Sequence, residues 1–268
     1  MIVLKTTNPF EIDELRMYFG DDYTINDFVT VHQPTVGEIV EYGEEKYYSG
    51  IAKITAIPSD MKSKLWDAGI DYSKMTDYEL FLTLTRSTCQ EDTALILGDI
   101  DLSELKIDKN PENEKLVLTK NGEIIIDELI YLKMVNYIRK FNCIVPKIEK
   151  PATETVKKIL IQLDRERIQK EQSKPYTSQL KIMISAMMRY PGFKYKTSEL
   201  RECGIYEFMD TFKGAQIYVA STALLQGSYS GMVDTSKIDS KQFNWLRDTT
   251  DQDRQGLFNV NAEEGATK

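Results

Sequence analysis

Histidine is almost missing from this 268-residue chain, in which His32 is the only one. A zinc site would therefore rest on scattered cysteines and carboxylates, and none has ligand spacing. A Ser-His-Asp or Cys-His arrangement would hang on His32 alone, with no GxSxG elbow or papain-type cysteine context beside it. His32 stands next to a short apolar run and just before Gln33-Pro34, so it reads as a packing or hydrogen-bonding residue. Cysteine is scarce too. Cys89, Cys143 and Cys203 are odd in number, widely separated and outside any CxxC motif. That usage fits reduced thiols in a cytosol better than a disulfide framework.

Nucleotide-binding fingerprints are absent. No GxxxxGK is followed by Ser or Thr, and no GxGxxG opens a helix after a strand. Gly227-Ser-Tyr-Ser-Gly231 has no strand before it and reads as a loop that breaks the preceding helix. No apolar run approaches ~18 residues, so no transmembrane helix is expected. The opening Met1-Ile-Val-Leu-Lys5 lacks the basic region, long apolar stretch and cleavage site of a signal peptide. The expectation is an intracellular chain, neither secreted nor membrane-spanning. A basic excess is also missing, because 34 Lys and Arg face 42 Asp and Glu for a net charge of −8. That sign opposes non-specific phosphate binding, and the lysines are interleaved with Glu and Asp, so no nucleic-acid partner is expected.

Acidic pairs are the remaining candidates for chemistry. Asp99-Ile-Asp101 offers oxygen ligands to a divalent cation, yet it equally suits a polar turn, which is the reading adopted. Asp108-Lys-Asn-Pro-Glu112 lacks the glycine and terminal Glu of an EF-hand loop, and Asp21-Asp22 after Gly20 looks like a turn. No catalytic, cofactor-binding or metal-ligating residue is assigned, no cofactor is expected, and the chain is read as no enzyme.

What is present is an ordinary globular composition, 41% hydrophobic and 28% charged. The expected fold is α+β and predominantly α-helical, with a small β-hairpin or sheet in the N-terminal half and an all-helical C-terminal half. Thr35-Val-Gly-Glu38 and Thr76-Asp-Tyr-Glu79 have capping-box spacing and should open helices, the first ending at Gly43. Tyr47, Tyr48, Ile51, Ile54 and Ile57 recur on one helical face, and Leu80, Phe81 and Leu84 should be buried on another. Phe28–Val31, Ala94–Leu97 and Leu102–Ile107 are expected as strands. The strongest local signal is Leu116 to Ile126, two β-rich runs around Asn121-Gly122, both of which tolerate the positive φ of a type I′ turn. Asp127 should then cap a helix carrying Met134, Val135, Ile138 and Phe141.

Two prolines in Val145–Pro151 mark a boundary. The expected organisation is a mixed α/β domain over 1–146, a helical domain over 152–247 and a flexible tail over 248–268. Helices are expected over Thr153–Ser173, apolar early and charged late, over Thr177–Met188, and from Tyr206 as far as Leu225. The charge run Asp164-Arg-Glu-Arg167 reads as a solvated helix face. Met183, Met187 and Met188 recur at helical spacing, either as core or as an adaptable surface.

Several segments in order carry a resemblance: Asn8-Pro-Phe-Glu-Ile-Asp-Glu14, Tyr18-Phe-Gly20, His32-Gln-Pro-Thr-Val-Gly-Glu-Ile39 and Glu41-Tyr-Gly-Glu44. Leu65-Trp-Asp-Ala-Gly-Ile70, Asp77-Tyr-Glu-Leu-Phe81, Gly204-Ile-Tyr-Glu-Phe208, Leu224-Leu-Gln-Gly227, Tyr229-Ser-Gly231 and Ile238 to Trp245 continue it. Over roughly residues 1–248 the chain resembles the tail assembly chaperones of tailed phages and prophages of Gram-positive bacteria. The resemblance implies a non-enzymatic protein of the bacterial cytoplasm. Its expected partners are the tape-measure protein and the tail-tube protein, and self-association is left open. A structural tail or connector component of the virion is the alternative, and a carboxylate- or metal-dependent enzyme using Asp99 and Asp101 is the third reading.

Overall fold

The computed structural model describes residues 12–231, 236 and 238–247. Among them are eleven α-helices and two small antiparallel sheets, with strands confined to the N-terminal half. The expectations placed on residues 1–11 and on the 248–268 tail lie outside the described residues.

Local chemistry starts most of the helices. Asp13 caps α1 (Glu14–Tyr18), its Oδ1 accepting from the Leu15 and Arg16 amides. The Thr35 and Thr76 capping boxes open α2 (Val36–Tyr42) and α5 (Asp77–Thr85) as their spacing predicts. Gly43, at φ +102°, turns the chain from α2 directly into α3 (Glu44–Thr55), which buries Tyr47, Ile51 and Ile54. A 3₁₀ turn at Pro58–Met61 leads into α4 (Lys62–Asp67). α6 (Gln90–Leu97) crosses α3 at Gly50, where backbone meets backbone: a Cβ there would fall inside contact distance of the Asp92 carbonyl oxygen.

The sheets are small. β1 (Tyr23–Thr24) pairs with β2 (Thr30–Val31), so the strand expected from Phe28 begins two residues later. Asn26 takes the intervening residues into a turn, its Oδ1 accepting from the Phe28 and Val29 amides. β3 (Lys106–Lys109), β4 (Leu116–Lys120) and β5 (Glu123–Ile126) form a meander. The β4–β5 turn holds Asn121 at φ +54° and Gly122 at φ +87°, as the Asn-Gly pair predicts.

Two expected strands are corrected. Ala94–Leu97 is the second half of α6, because Cys89 and Asp92 start a helix upstream: the Asp92 carboxylate accepts from the Cys89 amide at 3.2 Å. Leu102–Glu104 is a 3₁₀ turn held by Asp101, Leu105 returns to extended backbone, and the paired strand begins only at Lys106. Leu84 is half-buried rather than buried.

α7 (Glu128–Phe141), capped by Asp127, runs through the centre and buries Tyr131, Met134, Val135, Ile138 and Phe141. The Tyr131 ring lies 4.7 Å from that of Phe81. Each such side chain contributes about 1.5–3 kcal/mol through its burial. After Val145–Pro151 come α8 (Glu154–Gln172), α9 (Gln179–Arg189), α10 (Thr197–Glu202) and α11 (Ile205–Tyr229). α11 passes straight through Gly227, correcting the loop expected there, since within a run of helix formers one glycine costs only about 1 kcal/mol.

The apolar core draws on both sides of Val145–Pro151. Leu180, Met183, Met187, Leu200, Ile205 and Phe208 share one cluster with Val31, Ile39, Tyr47 and Val135. Backbone also joins the two sides: the Val36 amide donates to the Cys203 carbonyl and the Ile205 amide to that of Pro34, both at 2.9 Å. No helix among the described residues is long and apolar enough to cross a membrane.

Candidate interaction surface

The residues singled out for chemistry remain dispersed. His32 links a turn to a helix, its Nδ1 2.7 Å from Asp22 and its Nε2 3.5 Å from Glu38. Burial pushes the Glu38 carboxyl up, but the Thr35 bonds and the nearby His32 outweigh it and leave it lowered. Asp101 accepts from the Ser103 amide and hydroxyl, whereas Asp99 meets Gln90 at 3.4 Å. Asp108 accepts from the Thr119 hydroxyl. Among the described residues no group of three His, Cys, Asp or Glu side chains is placed to hold a metal ion. Met183 and Met187 are core, while Met188 is exposed.

The unusual surface belongs to α8. Thr153 caps it, accepting from the Val156 amide at 3.2 Å, and 19 residues follow without Gly or Pro. Lys157, Ile161 and Asp164 form its buried stripe, spaced four and three residues apart on one face. Ile161 enters a small apolar cluster with Leu65, Tyr72 and Leu80. The polar contacts on either side of it are what dock the helix. The Lys157 ammonium reaches Asp71 at 2.8 Å and Glu154 at 3.3 Å. Asp164, with no exposed side-chain surface, accepts from the Ser63 hydroxyl at 2.6 Å and the Ser63 amide at 3.2 Å, and pairs with Arg167 at 2.8 Å. Arg165 pairs with Asp67.

The titration shifts follow this geometry. The Lys157 bond and the Ser73 hydroxyl bring Asp71 down to about 2. Burial raises Asp164, but the Ser63 hydroxyl and Arg167 outweigh it and leave the carboxyl lowered.

Because α8 turns Lys157, Ile161 and Asp164 inward, the other apolar residues of its first half face out. Val156, Ile159 and Leu163 are 40%, 53% and 55% exposed, and Leu160 is half-buried at their margin. These positions lie three and four residues apart on one side of the helix. The apolar stripe was readable in the sequence, but its direction was not. That direction depends on Ser63, Asp67 and Asp71, about a hundred residues upstream, which receive the charged residues of α8. The run Asp164-Arg-Glu-Arg167 is accordingly divided: Asp164 is buried and only its neighbours are solvated, which corrects the wholly solvated face expected from sequence.

A groove of about 630 Å³ opens beside this helix. Leu82, Met75, Ile107 and Leu116 line it, and Arg86, the C-cap of α5, lies one turn beyond Leu82. Asp71 belongs both to its wall and to the Lys157 ion pair, so the N-terminal end of α8 borders it. Arg86 makes no ion pair among the described residues. The groove offers apolar side chains with Asp71, Lys74, Glu79 and Arg86 among its lining, and α8 separately offers an apolar helix face; both are ingredients of helix-in-groove recognition.

No protein-family model, no curated protein and no solved structure matches this chain.

Proposed function

We propose that this chain is a binding protein that captures an amphipathic helix of a partner on the outward face of α8 and the adjoining groove. In its specific form it is a phage tail assembly chaperone that keeps the tape-measure protein soluble while tail-tube subunits gather. The resemblance in segment order supports the specific form. The observation that carries the general one is the orientation of α8. A helix that docks through Lys157 and Asp164 while leaving Val156, Ile159 and Leu163 in water keeps exposed the surface a folded protein ordinarily covers. Arg86 at the groove favours a partner helix with a carboxylate beside its apolar stripe.

The test is co-expression with the tape-measure protein. The chain is expected to move that protein into the soluble fraction. Ile159→Glu combined with Leu163→Glu should weaken its capture about tenfold or more, the scale of a lost apolar hot spot. Thermal stability should change little, since exposed substitutions typically shift it by under about 0.5 kcal/mol. A tape-measure protein that stays equally insoluble with and without the chain would end the proposal.

A further inference from the structure

We infer that the distal half of α11 is a face on which two copies of this chain meet, antiparallel and related by a two-fold axis. α11 spans 25 residues, about 37 Å of helix. Its buried residues belong to the main core only as far as Phe212, with Ala215 the last to pack against it. Beyond that point the 3₁₀ turn at Ser240–Phe243 lies against the helix. The Ser221 hydroxyl donates to the Gln242 carbonyl at 2.8 Å, and the Tyr218 and Trp245 rings meet edge to face at 5.8 Å. The outer surface carries large side chains: Tyr229 is 86% exposed and Leu246 73%, with Tyr218, Val219 and Trp245 each about half-exposed.

Charge identifies the occupant. From Gly214 to Val233 the sequence contains no Asp, Glu, Lys, Arg or His, the longest such stretch in a chain of net charge −8. A two-fold contact lays a patch on its own copy, so every charge near the axis meets its like. The α11 part of the patch, uncharged from Gly214 to Tyr229, escapes that penalty, and the charges of the 3₁₀ segment, Asp239, Lys241 and Arg247, flank Trp245 and Leu246; a patch selecting a different protein would ordinarily use charge to choose it.

The spacing is self-complementary as well. Tyr218, Thr222, Leu225 and Tyr229 follow one another at four, three and four residues, a single ridge along the helix. Reversed about its midpoint, that ridge sets Tyr218 of one copy against Tyr229 of the other and Thr222 against Leu225. Taking about 150–250 Å² for a whole aromatic side chain, the exposed groups amount to roughly 600 Å² per copy. Two copies would cover about 1,200 Å², the lower bound of stable interfaces.

Sedimentation equilibrium of the full chain from ~1 to ~100 μM tests this, as does light scattering, both on the range where an interface of this size associates. A dimer of twice the 30.9 kDa chain mass is expected. Tyr229→Glu should raise its dissociation constant tenfold or more. The helix content should stay unchanged, because within one chain that side chain is 86% exposed, and the melting temperature should lose its dependence on protein concentration. Leu163→Glu on α8 should leave the dimer intact, which separates this inference from the partner-binding one. A chain that stays monomeric at the highest concentration overturns it. So does a dimer indifferent to Tyr229→Glu, or one that Leu163→Glu dissociates.

Discussion

At the scale of single residues, the carboxylates beneath α8 govern when that helix stays docked. An aspartate in an unfolded chain titrates near about 3.9. Asp71 in the fold titrates at about 2, and Asp164 is lowered as well. A depressed carboxyl contributes stability that is full above the unfolded value and is lost as pH falls through the folded one. The contribution of these carboxylates to the docking of α8 should therefore be full above about pH 4 and should be lost progressively as pH falls from there toward about 2. Trp66 on the adjacent α4 reports it by fluorescence in a Trp245→Phe background. Lys157→Met should remove most of the Asp71 contribution to the acid step. An acid transition unchanged by that substitution would show that Asp71 does not hold the helix.

Among the elements, the crossing of α3 and α6 tolerates the least change. Gly50 carries no Cβ where the Asp92 carbonyl approaches, and Lys53 clamps the same turn through the Asp92 carboxylate at 2.7 Å. Gly50→Ala must push the helices apart, an overpacking cost of about 1–3 kcal/mol. Chemical denaturation should show it as a lower midpoint with an unchanged slope. The same scale shows how much of the fold the sequence made readable. Thr35, Thr76, Asp127 and the Asn121-Gly122 pair each act within three or four residues of themselves, and the elements they start or turn were all expected. Ala94–Leu97 was misread as a strand because its apolar run was weighed without the Cys89–Asp92 cap that commits it to helix. The outward turn of Val156, Ile159 and Leu163 was out of reach, since periodicity defines a stripe but not the neighbour that stripe will meet. The groove beside α8 left no local signal either. Leu82 and Leu116 border it only once α5 and β4 are brought together.

For the molecule as a whole, Val145–Pro151 is a crossing rather than a gap in the core. Leu180, Met183, Leu200, Phe208 and Met209 pack with Val31, Ile39 and Tyr47, and strand-like hydrogen bonds join residues 34–36 to 203–205. Residues on both sides should therefore unfold together. Urea denaturation followed by far-UV circular dichroism and by tryptophan fluorescence should give one coincident transition. Two separated transitions would mean that the shared cluster contributes little. A chain ending at residue 146 should lose cooperative unfolding, because it exposes the apolar surface that α9–α11 cover.

The polar seam of α8 has one further consequence, in its response to ionic strength. Added salt screens exposed ion pairs such as Arg165–Asp67, and excluded ions such as sulfate strengthen apolar association. Sulfate thus loosens only the exposed Arg165–Asp67 margin, leaves the buried Lys157 and Asp164 contacts largely unscreened, and makes the outer side of the helix more adhesive, so partner capture should tighten with sulfate while α8 stays docked.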